Sequence, residues 1–144
     1  MNKITPFLWF NNNAKEAMDF YVSVFKDSQV ISENPMSVQF RLNNQEFMGL
    51  NAGPIFRFNE AVSFMVECKD QEEVNYYWNA LIADGGEESQ CGWLKDKFGL
   101  SWQIIPTRLP ELLNDSNPDR AKKAMEAMLK MKKIVIAKLE EAVG

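Results

Sequence analysis

The stretch NNNAKEAMDFYVSVFKDS, residues 11–28, decides the fold, because its signals return in the same order from Asp70 onward. Asn13 followed three residues later by Glu16 has the form of a capping box, two side chains accepting the free N–H groups of a helix start. Ala14, Ala17, Met18, Tyr21, Val22 and Phe25 then recur at the spacing of one helical face, and Lys26-Asp27-Ser28 ends the helix. Ahead of it, residues 4–10 form an apolar run that reads as a strand. Behind it come three short strand candidates, residues 29–32, 37–42 and 46–51. The middle one alternates Val38, Phe40 and Leu42, and Asn43-Asn44 makes a hairpin turn after it.

Ala52-Gly53-Pro54 interrupts the pattern, and residues 53–59 read as a connector carrying Phe56 and Phe58. The order then restarts. Residues 61–68 are a strand and Asp70 with Glu73 is a second capping box. Val74, Tyr77, Trp78, Leu81 and Ile82 form a second helical face, stopped by Gly85-Gly86. Strand candidates follow at 87–91, 92–95 and 100–105, with Asp96-Lys97-Phe98-Gly99 as a turn. Shifting the first unit by 57 positions lays Asn13 on Asp70, Glu16 on Glu73, Ala17 on Val74 and Tyr21 on Trp78. The expectation is an α+β domain of two βαβββ units, 1–52 and 60–106. Residues 107–144 extend the same domain with helices near 109–113, 119–132 and 135–142. Met125, Met128, Leu129 and Met131 give that extension an apolar stripe, read as packing on the core or on a second subunit, with a Met-rich ligand groove as the alternative.

Composition narrows the chemistry. The chain has 144 residues, 46% of them hydrophobic and 25% charged, which suits one globular domain. A net charge of −4 offers no footprint for nucleic acid, and the basic residues between Arg120 and Lys138 are interleaved with glutamates as a solvated helix face. No apolar run approaches the roughly 20 residues that span a bilayer. Cys68 and Cys91 are too few for a disulfide framework, so the expected setting is the reduced cytoplasm. The chain contains no histidine. Ser-His and Cys-His nucleophile pairs, and every His-ligated metal site, are thereby excluded.

Tandem βαβββ units resemble the vicinal-oxygen-chelate superfamily, which includes glyoxalase I, extradiol dioxygenases and bleomycin-resistance proteins. More closely, the chain resembles the PhnB-like group, some of whose members carry a demethylubiquinone methyltransferase label. The resemblance is carried by Ile4-Thr5-Pro6 with Leu8-Trp9-Phe10, by Leu50-Asn51-Ala52-Gly53-Pro54, and by Gln90-Cys91-Gly92-Trp93-Leu94-Lys95-Asp96. It continues through Phe98-Gly99-Leu100-Ser101-Trp102-Gln103 and a tail at residues 128–134. The resemblance implies that each unit curls into half of a ligand-enclosing cup, and that two chains pair as a homodimer. Residues 33–36 are a shorter connection than many members have.

Metal-dependent members place His and Glu at four inward strand positions. By register these fall on Pro6, Met48, Ser63 and Gln103, which cannot hold a divalent cation in the usual way, so no metal and no cofactor is expected. The same register turns Leu8, Phe10, Met48, Leu50, Met65 and Ile105 into the cup, with Ser63, Ser101 and Gln103 as its polar groups. Trp9 and Trp102 fall on the opposite parity, beneath the helices. These inward residues either line a small-molecule site or fill the cup as core. Glu46, Glu67, Lys95 and Asp96 are the available acid–base groups, and Cys91 beside Lys95 is a candidate activated thiolate. No glycine-rich strand–helix loop is present to cradle adenosylmethionine. The leading expectation is a metal-independent protein binding a small, largely apolar ligand. The alternatives are an isomerase, lyase or dioxygenase-like enzyme of the same superfamily, and a dimeric interaction protein with a filled cup.

Overall fold

In the computed structural model, which describes residues 3–144, the first unit runs β1 (Phe7–Phe10), α1 (Ala14–Val24), β2 (Ser28–Glu33), β3 (Ser37–Leu42) and β4 (Gln45–Asn51). It ends at Phe58, and a second unit covers Asn59–Gly144. Its four strands lie in the order β1-β4-β3-β2, with β1 parallel to β4 and the other pairs antiparallel. Alternation divides the sheet into two faces. Leu8, Phe10, Val38, Phe40, Leu42 and Phe47 are buried together with the inner stripe of α1, Ala14, Ala17, Met18 and Tyr21. Tyr21 stacks on Phe40 and Phe40 on Phe47. Gly49 is needed in this layer, since a Cβ there would meet Val38 Cγ2 at 2.9 Å and the Phe10 ring at 3.1 Å.

The second unit repeats that topology with β5 (Ser63–Cys68), α2 (Gln71–Ile82), β6 (Glu87–Glu88), β7 (Trp93–Lys95) and β8 (Ser101–Pro106), in the order β5-β8-β7-β6. Val66, Cys68, Leu94, Trp102 and Ile104 are buried with Val74, Trp78 and Leu81 of α2. The Trp78 indole N–H donates to Glu88, tying α2 to the edge strand. Asp70 accepts the Glu73 N–H at 2.9 Å, and the Glu73 carboxylate reaches back to the Lys69 N–H, so the second helix has its cap. Three helices follow, α3 (Arg108–Leu113), α4 (Pro118–Leu129) and α5 (Ile136–Val143). Leu109, Leu112, Ala124, Ile134, Leu139 and Val143 form a separate small core that includes Ile105 of β8. This extension is laced to the sheet by Cys91 and Gly92 N–H groups donating to Met131 and Lys132 carbonyls. It is held at α2 by the Gln71 amide, which spans Ile134 and Ile136.

Two expectations for the first unit fail together. Asn13 makes no capping hydrogen bond; its Oδ1 is buried without a partner among the described residues, and Asn51 Oδ1 accepts the Ala14 N–H instead. Leu8 and Phe10 do not face the open side of the sheet but pack beneath α1, while Trp9 lies on the open side with Phe7, Met48 and Leu50. Trp102 is buried as expected. The physical reason is one residue. Two residues, Asn11 and Asn12, separate β1 from its helix cap, whereas Lys69 alone separates β5 from Asp70. Asn12 takes up the extra length in the left-handed conformation, φ 61°. A shift of 57 that aligns the helices therefore misplaces the first strand by one residue, and one residue exchanges its faces. Among the described residues, no helix is long and apolar enough to cross a membrane.

Cys68, at the end of β5, is fully buried. Burial first, and then the nearby Glu73, Asp70 and Glu67 charges, push its thiol up to about 12. The folded state therefore keeps a proton that the unfolded chain releases near the ordinary thiol value. The resulting stabilisation is intact at neutral pH and declines as pH rises from about 9 towards the folded value. Urea unfolding midpoints are expected to fall more steeply between pH 8 and pH 10 (roughly the onset of that window) in the native protein than in Cys68→Ala. Equal slopes for the two proteins would show that another group is responsible.

Candidate functional site

The open face of the second sheet is built in rungs. Met65, Gln103 and Trp93 sit side by side on β5, β8 and β7, and Glu67 lies beside Ile105 on the next rung. The C-terminal extension stands over this surface, and Leu109, Leu113 and Met128 supply the facing wall. Between floor and wall is a cavity of about 350 Å³, which falls in the range of small-molecule pockets. Its remaining lining comes from Cys91, Pro106, Thr107 and Pro110. No lysine or arginine lines it, and Glu67 is its single charged residue. Gln103 is oriented through its amide nitrogen, which donates to Ser63 Oγ at 2.9 Å.

Of the inward residues expected from sequence, Met65, Gln103 and Ile105 line this cavity. Ser63 holds Gln103 from beside it. Ser101 is 1% exposed, its hydroxyl has no partner among the described residues, and it lines a smaller cavity of about 200 Å³ with Lys95 and Glu60. Met48 and Leu50 belong to the open face of the first unit, whereas Leu8 and Phe10 are core. Glu46 lies on β4 with one carboxylate oxygen buried and unpaired among the described residues. Asp96 is not a free acid–base group. It is buried and accepts the Phe98 and Leu100 N–H groups and the Trp102 indole N–H. Lys95 is ion-paired with Glu60; the contact raises the lysine and lowers the glutamate from their ordinary values. Cys91 lines the larger cavity and Lys95 the smaller one. Trp93 and the α3 residues of the wall were missed by sequence reading. Trp93 was recoverable, because an inward Gln103 makes its antiparallel partner inward too.

A family model described as 3-demethylubiquinone-9 3-methyltransferase matches residues 2–105. The chain belongs to that family. Within it, a PhnB protein from Bacillus cereus is 33% identical over 74% of this chain and all of its own, with a TM-score of 0.67. Protein PA1353 from Pseudomonas aeruginosa shares the fold at 20% identity and a TM-score of 0.60, over 74% of this chain and 98% of its own. So does the fosfomycin resistance protein FosX from Listeria monocytogenes, complexed with Mn(II) and sulfate. It is 15% identical over 78% of this chain and 94% of its own, with a TM-score of 0.59. No curated protein matches. The PhnB-like resemblance and the glyoxalase-type fold are thus those of the chain, and the family match ends before α3 begins.

The family's fold raises the question of a metal, and the donors here do not suit one. Met48 offers a thioether, and Ser63 and Gln103 are neutral groups already bonded to each other. Pro6, carried over on the same faulty shift, shares the parity of Leu8 and Phe10 rather than that of the open face, and has no side-chain donor at all. Among the described residues, no three His, Cys, Asp or Glu side chains converge on a point. A dehydrated divalent ion needs charged or strongly basic ligands, which this set lacks.

Proposed function

We propose that the chain is a metal-independent binding protein for a small, largely apolar molecule, acting as a carrier or sequestering module. The observation that carries this reading is the cavity over β5, β8 and β7, with its methionine, tryptophan and leucine walls and a glutamine held in a fixed orientation. Apolar walls with a few placed polar groups are the usual make-up of a small-molecule site. Methyl transfer is not part of this function. The connections before both sheet-packed helices, residues 11–13 and 69–70, contain no glycine that would let a backbone approach a methyl donor. Free Cys68 and Cys91 thiols fit a reducing compartment such as the cytoplasm. Exposed Phe7, Ile31 and Met36 in the first unit favour pairing of two chains as a homodimer.

Native mass spectrometry of protein purified without chelator tests ligand, metal and pairing at once. The expected spectrum shows a dimer that sheds a small organic adduct on activation and carries no stoichiometric metal. Zinc, nickel or iron at one per chain would sink the metal-independent reading and favour an isomerase, lyase or dioxygenase-like enzyme.

A further inference from the structure

Two polar side chains on the cavity floor, Glu67 and Gln103, present unspent acceptor oxygens. Glu67 is exposed and has no ion-pair or hydrogen-bond partner among the described residues. Gln103 commits one of its two amide N–H groups to Ser63, and its carbonyl oxygen accepts no hydrogen bond among the described residues. Both are acceptors, they sit on neighbouring rungs, and no cationic side chain lines the cavity. An anionic ligand would meet a carboxylate with nothing to offset it, while a neutral one would leave that carboxylate to water. An ammonium group satisfies it directly.

The body of the ligand is set by the same ladder. Trp93 lies two strands away from β5, a separation of roughly 10 Å at ordinary strand spacing. The intervening floor is Met65, Gln103 and Ile105, and Leu113 and Met128 close the other side. We infer that the cavity selects a small amphiphilic amine, its ammonium group at Glu67 and its apolar or aromatic body lying across β8 towards Trp93. This rests on the cavity being the binding site and adds the charge and shape of what it takes. The wall that would discriminate between bodies belongs to α3 and α4, which lie beyond the family-matched residues.

The test uses three compounds with one ring system and different head groups: tryptamine, tryptophol and indole-3-acetate. Binding is followed by the methyl resonances of Met65 and Met128 in the full chain labelled at methionine. Tryptamine is expected to bind about tenfold more tightly than tryptophol, with indole-3-acetate weakest, and the advantage should shrink as salt rises. Glu67→Gln should bring the tryptamine-to-tryptophol ratio close to one. Glu67→Lys should turn the preference towards indole-3-acetate. Both changes are at an exposed side chain, so folding is expected to survive them. Similar affinities for all three head groups, with Met65 and Met128 shifted, would overturn the charge selection and leave the binding site standing. No shift of either methyl by any compound would overturn both.

Discussion

Asp96→Leu is expected to lower the unfolding free energy by about 3–5 kcal/mol, the range for stripping a buried charged acceptor from several donors. Asp96 is 3% exposed. Its Oδ1 accepts the Phe98 N–H at 2.8 Å and the Leu100 N–H at 3.1 Å, and its Oδ2 accepts the Trp102 indole N–H at 2.9 Å. Leucine would fill a similar volume but leave those three N–H groups facing hydrocarbon. Asp96→Asn is expected to cost less, about 1–3 kcal/mol, because one oxygen survives while the new N–H group opposes the Trp102 indole N–H. Equilibrium urea unfolding, followed by tryptophan fluorescence, checks both values and their order. A loss below about 1 kcal/mol in the leucine variant would show that water takes over the donors. The consequence extends to the cavity. Asp96 closes the turn that sets Lys95 against Ser101 and Trp93 against Gln103, and a slip of one residue there would exchange Gln103 for its core-facing neighbours.

How far the sequence could be read follows from where each signal is local. The two helices, the β3–β4 hairpin and the shared strand order were legible, because caps, turns and periodicity act within a few residues. The second unit's open face was legible too: Met65, Ile105 and Gln103 were placed correctly from alternation. The first strand was not. The misreading of Leu8, Phe10 and Trp9 came from borrowing a register across a repeat whose loops differ by one residue, and Asn12 carried no mark of that difference. The capping role read at Asn13 failed for a related reason. Asn51 is 37 residues away in sequence, and only the folded sheet brings it to the start of α1. The cavity wall was mostly invisible in the same sense. Leu109 and Leu113 read as ordinary apolar helix positions and Met128 entered only through the alternative of a Met-rich groove; what makes them a wall is the docking of the extension over Ile105.

Docking of that extension depends on Gly92, and Gly92→Val is expected to cost about 3–5 kcal/mol, combining backbone strain with overpacking. Gly92 has φ 85°, in the left-handed region that β-branched residues avoid. A Cβ there would meet Ile105 Cδ1 at 3.0 Å, the Ile104 carbonyl oxygen at 3.1 Å and Ile134 Cγ1 at 3.1 Å. One of those neighbours is backbone in β8 and another is the anchor of the extension, so relief at either side loosens the seam. The Gly92 N–H donates to the Lys132 carbonyl and its own carbonyl accepts the Ile104 N–H, both at 2.8 Å. Moving residue 92 therefore strains both bonds together. Urea unfolding gives the magnitude, and hydrogen exchange at the amides of residues 91, 92 and 104 gives the location. Exchange should accelerate at all three, and the cavity should lose affinity for apolar amines because its Leu113 and Met128 wall no longer sits over Gln103. Gly92→Ala should move each readout in the same direction by less. An unchanged unfolding midpoint in the valine variant would mean that the seam yields without cost. The extension would then be a loosely held cover, and the cavity's shape would owe little to it.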